Sequence, residues 1–220
     1  NKSRITYFKE TDSLGGKDPY SASKASTEII YKSYFETYLK FKKNLSICSV
    51  RAGNIIGGGD WSKDRIIPDC VRSWIIKKNI YIRNPNFVRP WQHILDAING
   101  YLMLANTMSK TNKFNGHSFN FGPEKHSIKT VNQLSKKFQY YWSGVSKIKI
   151  KKNKQFSETK TLALSIMKAK QNLNWKPLLN FDESVSLTAD WYRKYYKNLN
   201  VTDIYLEQIN HFKKLCRLKK

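Results

Sequence analysis

A tyrosine and a lysine near the start of the chain have the spacing of a proton-transfer pair. The segment "DPYSASK" places Tyr20 four residues before Lys24, where the pattern of a helix begins. Residues four apart share one face of a helix, so both side chains can point into one site. A tyrosine has an unperturbed pKa of about 10, but a neighbouring ammonium favours the phenolate and lowers that pKa. The pair could then take a proton from a hydroxyl group near neutral pH. The same spacing is common by chance in helices that only pack, and the spacing alone leaves that alternative open.

The elements that would hold this pair alternate between helices and strands. Pro19 directly precedes Tyr20, and proline is favoured in the first turn of a helix. Further along, apolar residues at helical spacing alternate with short β-branched runs. These patterns predict helices over residues 20–41, 65–78, 93–108, 131–142 and 182–197, strands over 45–50, 80–83, 117–122 and 148–154, and loops over 51–61 and 84–92.

This order of elements predicts an α/β fold with a parallel sheet built from βαβ units. Near residue 148 the regular alternation gives way to the segment "IKIKKNK". We therefore expect a first domain over residues 1–147 and a smaller α/β lobe with a basic tail over residues 148–220. The boundary is soft, because elements that close a cleft often alternate between lobes.

The chain is strongly basic, with a formal net charge of +24 from 40 Lys and Arg against 16 Asp and Glu. Such an excess suits an anionic partner such as nucleic acid, a membrane surface or a phosphorylated substrate. Most lysines are spread along the chain, and the dense clusters at 147–154 and 211–220 lack the spacing of a nucleic-acid module. We expect a solvated basic surface, with a site for nucleic acid or acidic glycan as the alternative.

The cysteines and the apolar runs indicate the compartment. Cys48, Cys70 and Cys216 are odd in number and far apart, which supports neither a disulfide framework nor a zinc site. No apolar run is long enough to cross a bilayer, and no leader segment is recognisable. We expect a cytoplasmic protein with no membrane association and no metal.

Histidines and tryptophans are expected to be structural. No histidine has a carboxylate or cysteine partner at ligand spacing. The residues concerned are His93, His117, His126 and His211, together with Trp61, Trp91 and Trp175, which are expected to pack in the core or at its rim.

Two further segments place polar groups where α/β proteins bind ligands. Ala52 and Gly53 follow a predicted strand and leave room for a flat ring at its carboxyl end. Asn54 offers a donor and an acceptor there, although a turn asparagine could instead satisfy its own backbone. Arg65 begins a predicted helix, where free N–H groups favour a phosphate, although a solvated arginine is the alternative.

Five segments, taken in order, carry a family resemblance. They are "LGGKDPYSASK", "VRAGNIIGGGDWSKDRIIPD", "IRNPNFVRPWQH", "FNFGP" and "NLNWKP". In content, order and spacing they resemble the extended short-chain dehydrogenase/reductase family, and within it the CDP-glucose 4,6-dehydratase branch. The resemblance covers nearly the whole chain. It implies an incomplete Rossmann-like parallel sheet with a smaller substrate-binding lobe, and NAD as the cofactor.

The resemblance also implies roles for particular residues. It makes Tyr20 and Lys24 catalytic and cofactor-binding, and it places Ala52 and Gly53 against the cofactor. The residues that it assigns to the nucleotide-sugar substrate are Asn54, Arg65, Ile66, Ile82, Arg83 and Arg89.

The reaction that the resemblance implies is an NAD-dependent dehydration of CDP-glucose to the 4-keto-6-deoxy sugar. Tyr20 would take the proton of the 4-hydroxyl group, and Lys24 would bind the nicotinamide ribose. Rival readings are another nucleotide-sugar epimerase or dehydratase of the same family, or a basic binding protein without catalysis.

Two parts of the family pattern are missing from the sequence. No G-x-x-G-x-x-G follows a first strand, and the Thr/Ser-Asp-Lys segment of the family would precede the residues present. We expect the chain to be the C-terminal portion of such an enzyme and to be inactive alone. Its expected protein partners are a second copy in a homodimer or a separate N-terminal half.

Overall fold

The structure is a computed structural model that describes residues 6–16, 18–143, 147–151 and 161–218. The helices are α1 (Pro19–Tyr34), α2 (Ile66–Ile75), α3 (Ile94–Met108), α4 (Val131–Trp142), α5 (Met167–Leu173), α6 (Phe181–Tyr195) and α7 (Val201–Leu218). The strands are β1 (Ser49–Ala52), β2 (Asn54–Ile56), β3 (Ile80–Ile82), β4 (Val88–His93), β5 (Ser118–Phe121), β6 (Ile128–Thr130) and β7 (Ile148–Ile150). A short π-helical segment, Phe35–Leu39, continues α1.

Most strand pairs are parallel, as the alternation of helices and strands predicts. Strand β1 pairs with β5, β2 with β4, and β3 with β7, each in parallel register. Strand β6 is antiparallel to β4. Connections between parallel neighbours carry helices, so the α/β prediction is confirmed.

Two predicted loops contain strands, and one predicted strand is displaced. Strand β2 lies within residues 51–61, and β4 within 84–92 and the following residue. Gly53 and Pro90 disfavour strands locally, but pairing with distant segments makes these residues strands. Strand β6 pairs with β4 over Val88–Pro90, and β2 pairs with β4 from Trp91 onward. The strand expected over 45–50 is β1, which begins only at Ser49.

Helix α7 was not predicted, because Lys213, Lys214 and Arg217 near its end give that segment the appearance of a basic tail. Ile204, Gln208 and Phe212 recur at four-residue spacing and are buried. The Gln208 side-chain amide donates to the backbone oxygen of Leu187 in α6 at 2.7 Å. Helix α7 therefore docks on α6 along one narrow face, with its basic residues outside.

The core consists of two clusters of buried apolar residues. One is centred on α2, α4 and α6, and the other surrounds β5. Trp91 lies in the first and Trp175 in the second, while Trp61 is 40% exposed at the rim beside Trp191 and Tyr192. All three tryptophans thus pack as expected.

The division at residues 147 and 148 stays a prediction. Strand β7 pairs with β3, which lies in the first expected domain. The fully buried Asp96 of α3 accepts hydrogen bonds from the backbone N–H groups of Leu178 and Leu179. Elements from both parts of the chain are therefore interleaved.

Within the described residues, no helix is both long enough and apolar enough to span a membrane.

Candidate functional site

Helix α1 begins with a defined cap that fixes where Tyr20 stands. The Asp18 carboxylate accepts a hydrogen bond from the backbone N–H of Ser21 at 3.0 Å and another from its hydroxyl group at 2.7 Å. These hydrogen bonds hold the pKa of the Asp18 carboxyl below its ordinary value. Pro19 occupies the first turn. The cap therefore starts the helix one residue before Tyr20.

Tyr20 and Lys24 lie side by side on the exposed surface of α1. The Lys24 Nζ is 5.5 Å from the centre of the Tyr20 ring. The tyrosine is 69% exposed. Among the described residues no carboxylate pairs with Lys24. The Tyr20 phenol and the Lys24 ammonium are thus both accessible to a ligand.

A polar network ties α1 to the strand pair β1 and β5. The Glu28 carboxylate, one turn beyond Lys24, accepts hydrogen bonds from Arg51 Nε at 2.7 Å and from Arg51 Nη2 at 3.2 Å. The Ser49 hydroxyl donates to it at 2.7 Å and the Ser118 hydroxyl at 3.4 Å. Burial would raise the pKa of Glu28, but the hydrogen bonds from Arg51 and Ser49 outweigh it and hold that pKa below 4.5. Glu28 is therefore ionised and saturated with donors.

The second half of α1 contacts the end of the same strands through aromatic rings. Tyr31 donates from its hydroxyl group to the backbone oxygen of Ile47 at 3.3 Å. Burial raises the pKa of Tyr31 to about 12, so it stays a neutral donor. Phe35 lies against Gly116, where an added Cβ would be 2.2 Å from the ring. None of the α1 residues is fully buried.

Ala52, Gly53 and Asn54 form the junction between β1 and β2. The Gly53 N–H donates to the backbone oxygen of Phe121 at 3.1 Å. A Cβ on Gly53 would lie 2.6 Å from the Pro90 backbone oxygen, so β4 approaches too closely for any other residue. Asn54 is opposite Trp91 in the β2–β4 pair. Close packing of strands thus explains the glycine before any ligand is considered.

Arg89, assigned by resemblance to the substrate diphosphate, lies in β4 and is only 7% exposed. Its Nη1 donates to the Val88 backbone oxygen at 2.9 Å, and its guanidinium lies 5.3 Å from the centre of the Phe87 ring. These contacts hold Arg89 in place. It lies two residues before Trp91, which is opposite Asn54 in the β2–β4 pair.

Arg65 and Arg83 are near one acidic loop. Arg65 caps α2 with its backbone and lies 3.5 Å from the Asp60 carboxylate. Arg83 follows β3 and lies 3.0 Å from Asp64. Both arginines are largely exposed, and such ion pairs are weak enough for a ligand to replace.

The two isoleucines assigned to the substrate differ from these arginines. Ile82 is 3% exposed, and Ile66 packs against the first core cluster. Their side chains contribute mainly to the core, and the backbone oxygen of Ile82 accepts a hydrogen bond from the Lys151 N–H at 3.0 Å.

The described contacts join some predicted residues and not others. Glu28 and Arg51 connect the helix of Tyr20 and Lys24 to the strand that ends at Ala52. In the parts of the chain that the structure describes, no hydrogen bond or ion pair links Arg65 or Arg83 to these residues.

Sequence reasoning missed Glu28 and Arg51. The signal available was the position of Glu28, four residues after Lys24 and eight after Tyr20, which puts it on their face of the helix.

His93 has structural surroundings. His93 is 1% exposed and caps α3, with its Nδ1 accepting from the Leu95 N–H at 3.3 Å. Burial lowers the pKa of His93 to about 4, so the ring is neutral. In the described portion, no group of three or more His, Cys, Asp or Glu side chains has the arrangement of a metal site.

The parallel strand pairs and the helices that connect them define an α/β protein, in which Tyr20 and Lys24 are adjacent on α1. Residues 2–188 match the GDP-mannose 4,6 dehydratase family, and the chain belongs to that family. This confirms the resemblance to sugar-nucleotide dehydratases drawn from the sequence motifs.

Two curated relatives are similar over most of this chain. CDP-glucose 4,6-dehydratase of Salmonella typhimurium is 31% identical over 201 residues, which are 90% of this chain and 56% of the relative. dTDP-glucose 4,6-dehydratase of Streptomyces antibioticus is 27% identical over 186 residues, which are 84% of this chain and 51% of the relative. The chain thus spans about half the length of both.

Solved structures show the same fold. dTDP-glucose 4,6-dehydratase from Bacillus anthracis, in complex with NAD, has a TM-score of 0.72 at 22% identity. The match covers 87% of this chain and 57% of the chain in that structure. UDP-glucose 4-epimerase from Thermotoga maritima, with UDP-glucose, also has a TM-score of 0.72, at 21% identity, over 89% of this chain and 60% of its own. These similarities confirm the predicted partial Rossmann-like fold.

Proposed function

We propose that this chain carries part of the active site of a nucleotide-sugar 4,6-dehydratase that converts CDP-glucose to CDP-4-keto-6-deoxyglucose. The observation that carries the proposal is the 31% identity with a CDP-glucose 4,6-dehydratase over 90% of the chain. The exposed Tyr20 and Lys24 pair supplies the chemistry that such a reaction needs.

The residues present fit an NAD cofactor at its nicotinamide end. Tyr20 and Lys24 are exposed on one helix face, and the ammonium has no described acidic partner to displace. The helix is fixed beside the strand that ends at Ala52 and Gly53, where α/β sheets bind ligands. NAD bound there would accept a hydride from the sugar and return it.

Tyr20 acts as the general base in this proposal. Its phenolate accepts the proton of the sugar 4-hydroxyl group as the carbonyl forms at C4. The Lys24 ammonium, 5.5 Å from the ring centre, would donate hydrogen bonds to the cofactor ribose. One water is then lost across C5 and C6.

The proposed substrate contacts come from the β2–β4 strand pair, from the start of α2 and from the end of β3. Asn54 offers its amide to the sugar or diphosphate, and Arg89 gives the diphosphate a planar charged partner. Arg65 and the backbone of Ile66, at the start of α2, add a cation and free N–H groups. Arg83 and Ile82 are the residues proposed to enclose the nucleotide base.

We assign the cofactor and substrate contacts to the two expected domains as follows. Residues 1–147 provide the cofactor end and most substrate contacts, and residues 148–220 provide a smaller lobe. Cys48 and Cys70 form no disulfide in the part of the chain that the structure describes, which fits a reducing compartment, and we place the protein in the cytoplasm.

Comparison of nucleotide sugars tests the proposal. The complete gene product is incubated with NAD and, separately, with CDP-glucose, dTDP-glucose, UDP-glucose and GDP-mannose. Mass spectrometry then follows the loss of one water from each. We expect kcat/KM to be highest for CDP-glucose. A preference for dTDP-glucose, the substrate named in the second relative, would overturn the nucleotide assignment and leave the dehydratase class intact.

A further inference from the structure

Helix α1 is held to the sheet mainly by polar contacts. None of its residues is fully buried, so no apolar side chain of the helix is inserted into the core. On the face that carries Tyr20 and Lys24, the described contacts with β1, β5 and the residues just before them are of two kinds. One is Glu28 with its donors, and the other is the Tyr31 hydroxyl group, which donates to the Ile47 backbone oxygen at 3.3 Å. The position of the helix therefore depends on polar groups more than on hydrophobic burial.

Glu28 collects its donors from two strands. Arg51 binds it with two nitrogen atoms, and Ser49 and Ser118 add one hydroxyl group each. The side chains of Arg51 and Glu28 are 20% and 15% exposed, so the pair is largely shielded from water. A two-pronged bond of this kind fixes direction as well as distance.

Arg51 stands next to the predicted cofactor site. It directly precedes Ala52 and Gly53, at the end of β1. It also donates from Nη1 to the backbone oxygen of Glu10 at 3.3 Å. The Glu10 carboxylate in turn accepts from the Asn120 N–H at 2.8 Å. Arg51 therefore joins α1, the strand end and the segment before α1 at one point.

We propose that Glu28 is a positioning residue, whose bond to Arg51 sets the place of Tyr20 and Lys24 relative to the Ala52–Gly53 end of β1. The geometry within the pair is set by the helix itself, because the two residues are one turn apart. The distance from the pair to the strand end is set by the docking of α1, and that is where Glu28 acts. This role rests on the proposed function, because it assigns an auxiliary part to the same site.

Hydrogen exchange tests the positioning role without any need for activity. Glu28→Gln keeps the shape of the side chain and removes its charge. Loss of a charged hydrogen bond should raise the equilibrium constant for local opening of the helix roughly tenfold or more. We expect amide exchange in residues 20–27 to accelerate by about tenfold or more, with exchange in α6 unchanged.

A matched control lies on the same helical stretch. Glu36→Gln removes an exposed carboxylate that pairs with Lys40 at 2.8 Å, and it should leave exchange in residues 20–27 unchanged. Arg51→Lys, which keeps the charge but loses the planar fork, should give an intermediate acceleration confined to α1. Unchanged exchange in α1 of Glu28→Gln, or equal acceleration in α1 and α6, would overturn the proposal.

Turnover separates positioning from simple stability. A misplacement of about 1 Å can cost about 100-fold in rate. In Glu28→Gln of the complete gene product, assayed with NAD, we expect kcat for CDP-glucose to fall by about 10- to 100-fold while KM changes by less than about threefold. Absence of turnover in the complete wild-type gene product would remove the proposed function, whereas the exchange experiment would still decide the role of Glu28. An unchanged kcat in an active enzyme would contradict the positioning role itself.

Discussion

The Lys24 ammonium lies 5.5 Å from the centre of the Tyr20 ring, on the exposed side of the first turns of α1. If the Tyr20 phenolate is the general base, Tyr20→Phe should lower kcat by about 100- to 10,000-fold, because the ring remains and only the proton acceptor is lost. Steady-state kinetics with CDP-glucose measure this. Tyr34→Phe changes another exposed tyrosine of α1 and should leave kcat unchanged. Equal losses of kcat in both variants would indicate damage to helix α1 and would contradict the role of Tyr20 as the base.

The sequence predicted best those elements whose pattern is local. Helix α4 occupies the predicted residues 131–142, and α3 differs from its prediction by one residue. Both have regular apolar spacing and a capping side chain. Strands β2 and β4 could not be predicted, because Gly53 and Pro90 favour loops locally and only pairing between distant segments makes them strands.

The candidate site shows the same contrast. Tyr20 and Lys24 were predicted because one helix sets their spacing. The bond between Glu28 and Arg51 joins residues 23 apart in sequence and depends on how α1 docks, which no local pattern encodes. The burial of Ile82 and Arg89 likewise follows from tertiary packing.

Gly100 should resist replacement even though it lies inside a helix. An added Cβ would be 2.4 Å and 2.5 Å from two ring carbons of Phe121. Alanine would favour the helix by about 1 kcal/mol, but overpacking of a core costs about 1–3 kcal/mol. We expect Gly100→Ala to lower the free energy of unfolding by up to about 2 kcal/mol, measured by urea denaturation. Leu102→Ala, at a 65% exposed position of α3, should change it by less than about 0.5 kcal/mol.

His93 should make stability depend on pH in the acid range. Burial lowers the pKa of His93 from 6.5 to about 4 in the folded protein. Between these values the unfolded chain binds a proton that the folded chain excludes, so stability is complete above about pH 6.5 and falls as the pH is lowered. At pH 5 the loss from this residue should be about 2 kcal/mol.

Urea denaturation of His93→Asn at pH 7.5 and pH 5 measures this contribution. The variant should lose less stability than the wild type over that range, because it has no imidazole to protonate. His211→Asn changes an exposed residue of α7 and should follow the wild type. A parallel decline in the wild type and His93→Asn would refute the assignment.

Asp96 should be essential to the link between α3 and the segment before α6. It is fully buried, and its two carboxylate oxygens accept from Leu178 N–H at 2.7 Å and from Leu179 N–H at 3.1 Å. Asp96→Asn replaces one acceptor with a donor and should cost about 2–3 kcal/mol of unfolding free energy. Chemical denaturation measures the free energy of unfolding of this variant. Asp203→Asn, which changes an exposed aspartate of α7, is the control and should show no such loss. Equal stabilities would show that the two N–H groups find other acceptors.

The fate of the hydrogen on C4 tests the central claim most directly. The complete gene product is incubated with NAD and CDP-glucose that carries deuterium at C4, and the product is analysed by mass spectrometry and NMR. The proposed dehydration, with hydride removal at C4 and return to C6, predicts a 4-keto-6-deoxy product that has lost one water and carries the deuterium at C6. Deuterium that remains at C4 of an intact sugar, or no loss of water, would contradict the assignment.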